Sequence, residues 1–131
     1  MSFNGKHRIL IVDDEADVRE LLRKFLSRRG YAVDTAADGD SALRAIRSGN
    51  HDIVLLDIRL PRGDGMSILR QIRAENSDVA IITMSGDADE DTARESLELG
   101  AADFITKPFN LPYLETSLLA KLVLLEARPA S

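Results

Sequence analysis

Apolar residues occur along the chain in two alternating patterns. Five short runs are rich in apolar or β-branched residues, and between them apolar residues recur every three or four positions. A short apolar run bounded by turn residues predicts a strand, and the longer spacing predicts an amphipathic helix. The runs predict strands at 8–12, 31–36, 53–56, 79–84 and 103–106. The stretches between them predict helices at 16–28, 41–48, 66–74 and 87–99, with a last helix from about 112 to 125.

The order of these elements predicts the fold class. Strand and helix alternate five times, which is typical of a doubly wound α/β domain whose parallel sheet has helices on both faces. The run at 53–56 has no polar alternation, so we expect a strand buried on both sides, whereas the more polar strand at 31–36 is expected near an edge. The length of 131 residues suits one domain, over 8–126, after a polar leader at 1–7 and before a tail or linker at 127–131.

Composition and charge exclude several classes of function. Cysteine is absent, which excludes a disulfide framework, a thiol nucleophile and a thiolate metal site. The net charge is −5 and there is no basic run, which argues against a nucleic-acid-binding surface within these residues. No apolar run has the length of a membrane span, and the first residues do not resemble a signal peptide. We therefore expect a cytoplasmic protein with no membrane partner.

Chemically active side chains follow the predicted strands. Asp13 and Asp14 come after the first strand, Asp57 after the third, Ser85 after the fourth and Lys107 after the fifth. The carboxyl ends of parallel strands meet at one edge of the sheet, where such folds bind ligands. Taken singly, each residue has an ordinary explanation: a helix cap, a turn residue or a solvated strand end. Their shared placement at one edge favours a functional site.

The carboxylates in this group predict a divalent cation. Three carboxylates close together raise one another's pKa unless a cation offsets the repulsion, and Mg²⁺ prefers such oxygen ligands. Zinc is not expected, because His7 and His51 follow no strand and are expected at the surface. A carboxylate beside Mg²⁺ and a lysine is a candidate nucleophile towards phosphorus, and its product would be an aspartyl phosphate.

Four segments of the chain resemble the receiver domains of bacterial two-component response regulators. They are ILIVDDE at 9–15, VLLDIRLPRGDG at 54–65, IITMSG at 81–86 and GAADFITKPF at 100–109. The resemblance extends from about residue 8 to residue 125. It implies a CheY-like, flavodoxin-like fold with five helices and a five-stranded sheet in the order 2-1-3-4-5.

The resemblance also implies a role for each acidic position. Asp57 corresponds to the phosphoacceptor. Asp14 and Asp57 correspond to direct Mg²⁺ ligands, with Asp13 acting mainly through water, and the backbone carbonyl of Arg59 corresponds to the third protein ligand.

Three further positions correspond to residues that contact the phosphoryl group or respond to it. Ser85 corresponds to the switch hydroxyl, Phe104 to the aromatic switch residue and Lys107 to the lysine that contacts the phosphoryl group. Ser85 and Phe104 are expected to end neighbouring strands. The peptide bond between Lys107 and Pro108 is expected to be cis.

The resemblance implies a signalling function rather than a classical enzyme. A sensor histidine kinase or a histidine phosphotransfer protein would phosphorylate Asp57, with Mg²⁺-dependent self-phosphorylation and autodephosphorylation as the only catalysis. The face made by the fourth helix, fifth strand and fifth helix would then control an output partner or an attached domain, and it is a candidate for homodimerisation. Whether the chain acts alone or within a longer regulator stays open.

Two other functions fit the residues less well. Phosphohydrolases of the haloacid dehalogenase type have a general-acid aspartate two residues after the nucleophile, where this chain has Arg59. The chain also has no insertion that could cover a substrate. An adaptor that is never phosphorylated would leave the acidic cluster and Lys107 without a role.

Overall fold

The computed structural model describes residues 7–60, 65–76, 78–86 and 90–126, and these residues form an alternating series of strands and helices. The strands are β1 (Arg8–Val12), β2 (Ala32–Ala36), β3 (Ile53–Asp57), β4 (Ala80–Ser85) and β5 (Asp103–Thr106). The helices are α1 (Ala16–Arg28), α2 (Gly39–Ser48), α3 (Gly65–Glu75), α4 (Glu90–Glu98) and α5 (Leu111–Glu126).

The five strands form one parallel sheet in the order β2-β1-β3-β4-β5. This order confirms the predicted fold class. Every residue of β3 is buried, as expected for a central strand, and the more polar β2 lies at an edge. A parallel sheet needs helical cover on both faces, which is why its central strands are apolar without alternation.

The core consists of two clusters, one on each face of the sheet. Alternate side chains of a strand point to opposite faces, so Leu10 and Val12 enter one cluster while Ile9 and Ile11 enter the other. The first cluster is completed by residues of α2 and α3, and the second by α1 and α5. Helices therefore cover both faces of the sheet, and the loops that follow the strands lie at its carboxyl edge.

The predicted elements are all present among the described residues, but several of their ends differ. Helix α2 begins at residue 39 rather than 41, and β4 spans 80–85 rather than 79–84. Helix α4 is described from residue 90, so the predicted start at 87–89 lies outside the described residues, as do residues 1–6 of the leader and the tail at 127–131. No described helix has the length and apolar character needed to span a membrane.

The expectation that both histidines lie at the surface was wrong for His51. Its side chain is only 2% exposed, and its Nε2 lies 2.7 Å from Oδ2 of Asp34. Arg8 donates to the same carboxylate oxygen at 2.7 Å. Burial of the imidazole is therefore accompanied by a charged partner on β2 that the local sequence around His51 does not show.

Candidate functional site

The carboxyl edge of the sheet holds a polar pocket. Its cavity of about 440 Å³ is lined by Asp14, Glu15, Asp57, Arg59, Gly86 and Lys107. Asp57 is the last residue of β3, the loop after β1 supplies the acidic residues, and Lys107 directly follows β5. The structure thus brings the predicted strand-end residues together, because parallel strands end at the same edge.

Lys107 is the cation at the centre of this pocket. Its Nζ donates to Oδ2 of Asp57 at 3.1 Å and to Oε1 of Glu15 at 3.2 Å. It also lies 2.7 Å from Oδ2 of Asp13, an ion pair whose angle falls outside hydrogen-bond geometry. The peptide bond between Lys107 and Pro108 is cis, as expected.

Backbone groups fix the orientation of the two buried carboxylates. The backbone N–H of Arg59 donates to Oδ1 of Asp57 at 2.8 Å, and that of Glu15 donates to Oδ1 of Asp13 at 2.9 Å. The guanidinium of Arg19 reaches back from α1 to the backbone carbonyl of Asp13 at 2.8 Å. Glu15 and Arg19 were not among the predicted site residues. The position of Glu15 directly after the acidic pair was the one signal in the sequence that could have indicated it.

Burial dominates the ionisation of Asp13. It raises the pKa of this carboxyl, and the neighbouring charge of Asp57 raises it further by a smaller amount, against the lowering effects of Lys107 and the Glu15 N–H. Burial alone lowers the pKa of Lys107, but the close contacts and negative charges of Asp13 and Asp57 outweigh it, so this pKa lies above its usual value. Lys107 therefore stays protonated at neutral pH.

The acidic residues fit a small, hard cation. Asp13, Asp14 and Asp57 each offer one oxygen, and these oxygens lie within 4.8 Å of one another. Opposite oxygens in an octahedral Mg²⁺ shell are about 4 Å apart, and the ion usually keeps several waters. Asp14 is exposed whereas the other two are buried, so water has access on one side.

The two predicted switch residues occupy neighbouring strands. Ser85 is the last residue of β4 and is fully buried. Phe104 is half-buried and is the second residue of β5, in register with Thr83, so the expectation that it ends its strand was wrong. Phe104 packs against the hydrophobic cluster formed with α2 and α3.

Five parallel strands in this order, with five helices and carboxylates at the carboxyl edge, define a flavodoxin-like α/β domain of the CheY type. The chain belongs to the response regulator receiver domain family, whose family model matches residues 9–119. It is thus a receiver domain of a two-component system.

Curated relatives include longer transcriptional regulators. The chain is 40% identical over 110 residues to the transcriptional regulatory protein ResD of Bacillus subtilis, covering 84% of this chain and 45% of ResD. It is 43% identical over 119 residues to the probable transcriptional regulator ycf27 of Guillardia theta, covering 89% of this chain and 46% of that protein. The chain therefore spans about half the length of these relatives.

Solved structures share the fold over nearly the whole chain. A CheY-like receiver domain protein from Methanospirillum hungatei superposes with a TM-score of 0.88 at 31% identity, covering 92% of this chain and 96% of that one. The response regulator TrrA of Thermotoga maritima, solved in complex with Mg²⁺ and BeF, gives a TM-score of 0.80 at 35% identity, covering 88% and 99%.

Proposed function

We propose that this receiver accepts a phosphoryl group on Asp57 from a sensor histidine kinase or a histidine phosphotransfer protein. The observation that carries the proposal is the position of Asp57 at the end of the central strand, with Lys107 Nζ at 3.1 Å from its Oδ2. A buried carboxylate held by an ammonium and a backbone N–H is oriented for attack on phosphorus. The same residues would support self-phosphorylation by small phosphodonors.

The proposed transfer uses the residues of the pocket directly. A carboxylate oxygen of Asp57 attacks phosphorus, the bond from phosphorus to the histidine nitrogen breaks, and the electron pair stays on that nitrogen, which takes up a proton. The ammonium of Lys107 and the hydroxyl of Ser85 stabilise the charge on the equatorial oxygens of the phosphoryl group. Hydrolysis of the aspartyl phosphate by water returns the domain to its starting state.

Magnesium is the proposed cofactor. Asp14 and Asp57 would hold it directly together with the backbone carbonyl of Arg59, and Asp13 would act mainly through water. When bound, Mg²⁺ neutralises the charge that accumulates on the phosphoryl oxygens. The proposal is supported by the spacing of the carboxylate oxygens and by the Mg²⁺ in the TrrA structure.

The proposed output is a change in the face made by α4, β5 and α5. Ser85 would move towards the phosphoryl group, and Phe104 would turn inward into the space that it leaves. Leu97 of α4 and Tyr113 of α5 are each 47% exposed on described elements of this face. A partner protein, an attached domain or a second copy of the chain would bind there. A cytoplasmic location is part of the same proposal.

The proposal is tested by phosphorylation with acetyl phosphate and Mg²⁺, followed by intact-mass measurement. The wild-type chain should gain one phosphoryl group that is lost in base, and D57N should gain none while keeping its fold. D40N is the matched control, because Asp40 is an exposed aspartate in the first turn of α2. Labelling of D57N at the wild-type rate would overturn the assignment.

A further inference from the structure

Helix α4 is attached to the sheet through a pair of hydroxyl groups. Ser96 is the fully buried residue of this helix as the structure describes it, whereas Leu97 beside it is 47% exposed. The Ser96 Oγ lies 2.9 Å from Oγ1 of Thr83, which is also fully buried on β4. Helices usually dock through an apolar stripe. The position of α4 therefore depends on a directional polar contact to an unusual degree.

Thr83 lies between the two residues of the proposed switch. It is two positions before Ser85 on β4, so both side chains point to the same face of the sheet. It is also in register with Phe104 on β5, which packs on that face. A movement of α4 that accompanies Ser85 and Phe104 has to change the geometry of the contact between Thr83 and Ser96.

The two hydroxyls make three contacts but have only two protons to donate. Thr83 Oγ1 is 3.2 Å from the carbonyl oxygen of Asp103, and Ser96 Oγ is 3.0 Å from that of Ala93. In one arrangement Ser96 donates to Thr83 and Thr83 donates to Asp103, which ties α4 through β4 to β5. In a second, Thr83 donates to Ser96 and Ser96 donates within its own helix, so the hydrogen bond to β5 is lost. In a third, each hydroxyl donates to its backbone carbonyl, and the hydrogen bond between the two hydroxyls is lost.

We propose that Thr83 and Ser96 are positioning residues that set the resting position of α4 and oppose the shift that phosphorylation of Asp57 triggers. This inference rests on the proposed function. Because both hydroxyls are buried, no water replaces a contact that is lost when α4 moves, and the shifted state is disfavoured by that loss. Removing the pair should raise the population of the shifted state before any phosphoryl group is bound.

The affinity for beryllofluoride, a mimic of the phosphoryl group, measures this population in the presence of Mg²⁺. A ligand binds more tightly when the state it prefers is already more populated. T83V and S96A should each lower the Kd for beryllofluoride about two- to tenfold, the range expected for one net hydrogen bond. The double variant should lower it no further than the stronger single variant, because the two residues act as one contact.

Two controls separate this role from a loss of stability. T83S keeps the hydroxyl and should bind beryllofluoride with the wild-type Kd. I46V removes a methyl group from the buried face of α2, so it should lower the melting temperature without changing the Kd. In the ligand-free S96A variant, the amide resonances of Leu97 and Phe104 should lie between those of free and beryllofluoride-bound wild type.

The outcomes are distinct. A Kd that changes less than twofold in both T83V and S96A, or that rises, would overturn the positioning role while leaving the proposed function intact. If T83V does not fold, S96A decides alone, since alanine is well tolerated in a helix. A wild-type chain that does not bind beryllofluoride at all would overturn the proposed function and this inference with it.

Discussion

Lys107 offsets only part of the negative charge in the pocket. One ammonium lies within 3.2 Å of three carboxylates, those of Asp13, Asp57 and Glu15. The exposed Asp14 adds a further negative charge at the same edge. Among the described residues, Arg59 is the second cation that lines the pocket, so four carboxylates face two positive side chains. This excess of negative charge is the physical reason to expect a bound cation there.

The first prediction concerns the charge of Asp13. Because burial raises its pKa, the folded state favours the neutral carboxyl more than the unfolded state does. The raised pKa of Asp13 contributes stability at acidic pH that is lost as the pH rises through its value in the folded protein. At pH 7 without Mg²⁺, D13N should therefore raise the free energy of unfolding, by about 0.5–2 kcal/mol. Urea denaturation of both proteins in chelator measures it.

D17N is the matched control for this prediction. Asp17 is exposed in the first turn of α1, where a negative charge favours the helix, so the same substitution should be neutral or slightly destabilising. A D13N variant less stable than wild type in chelator would contradict the prediction, because it would mean that the ion pair with Lys107 outweighs the cost of burial.

The location of a single residue was predictable where the order of strands and helices alone determines it. Asp57 and Lys107 were grouped from the sequence because strand ends of a parallel sheet share an edge. The burial of His51 was not predictable, because its partner Asp34 lies on β2, 17 positions away. The distances from Lys107 Nζ to the two buried carboxylates, 2.7 Å to Asp13 and 3.1 Å to Asp57, depend on side-chain geometry that no sequence pattern encodes.

At the scale of elements, the first residue of α3 packs tightly against the backbone at the end of β3. Gly65, the first residue of α3, donates its backbone N–H to the carbonyl of Ile58 at 3.1 Å. A Cβ on Gly65 would collide with the Cα of Ile58 and would come within 2.7 Å of the backbone oxygen of Asp57. The start of α3 thus packs directly on the backbone that carries Asp57.

The second prediction follows from this packing. G65A should lower the free energy of unfolding by about 1–3 kcal/mol, because backbone atoms rather than a flexible side chain have to move. It should also slow phosphorylation by acetyl phosphate, since the displaced backbone includes Asp57. Thermal melting and intact-mass labelling measure the two effects.

G86A is the control for G65A. The nearest atom to a Cβ on Gly86 is the Cβ of Lys107 at 3.6 Å, an ordinary contact, so this variant should melt close to wild type. Wild-type stability in G65A, or an equal loss in both variants, would show that the close approach at Ile58 is not limiting.

The type of each element, strand or helix, was predictable because its apolar residues recur at a regular spacing. The residues at which the elements begin and end depend on local contacts. Helix α2 begins before the first apolar position because the side chain of Asp38 caps it, accepting from the backbone N–H of Ser41 at 2.8 Å. The role of Ser96 was not predictable, because a serine in a helix usually faces solvent. Only the folded structure shows that its hydroxyl lies 2.9 Å from that of Thr83.

For the whole molecule, the acidic pocket links cation binding to stability, which gives the third prediction. A cation that binds the folded chain alone stabilises it by RT ln(1 + [L]/Kd), about 2.7 kcal/mol at one hundred times Kd. Millimolar Mg²⁺ should therefore raise the melting temperature of the wild type. The increase should be much smaller in D14N, which lacks the exposed carboxylate of the cluster. A wild-type melting curve unchanged by Mg²⁺ would contradict the proposed cofactor.

The pocket is connected to the proposed output face through β4 and its neighbour β5, which is part of that face. Ser85 ends β4 at the pocket, while Phe104 and Thr83 lie further back on the paired strands. A change from 1:99 to 99:1 between two states needs about 5.5 kcal/mol of differential binding. One charge-assisted hydrogen bond from Ser85 supplies about 1.5–3 kcal/mol, so contacts of the phosphoryl group with Lys107 and Mg²⁺ have to contribute the rest.

The most direct test of this account is an NMR comparison of the chain with Mg²⁺, before and after addition of beryllofluoride. Chemical-shift changes should spread from Asp57 along β4 and β5 to the backbone amides of Leu97, Phe104 and Leu114. The S85A variant should bind the mimic but show a weaker response at these three residues. Shifts that stay confined to the neighbourhood of Asp57, with no response on α4, β5 or α5, would contradict the proposed switch.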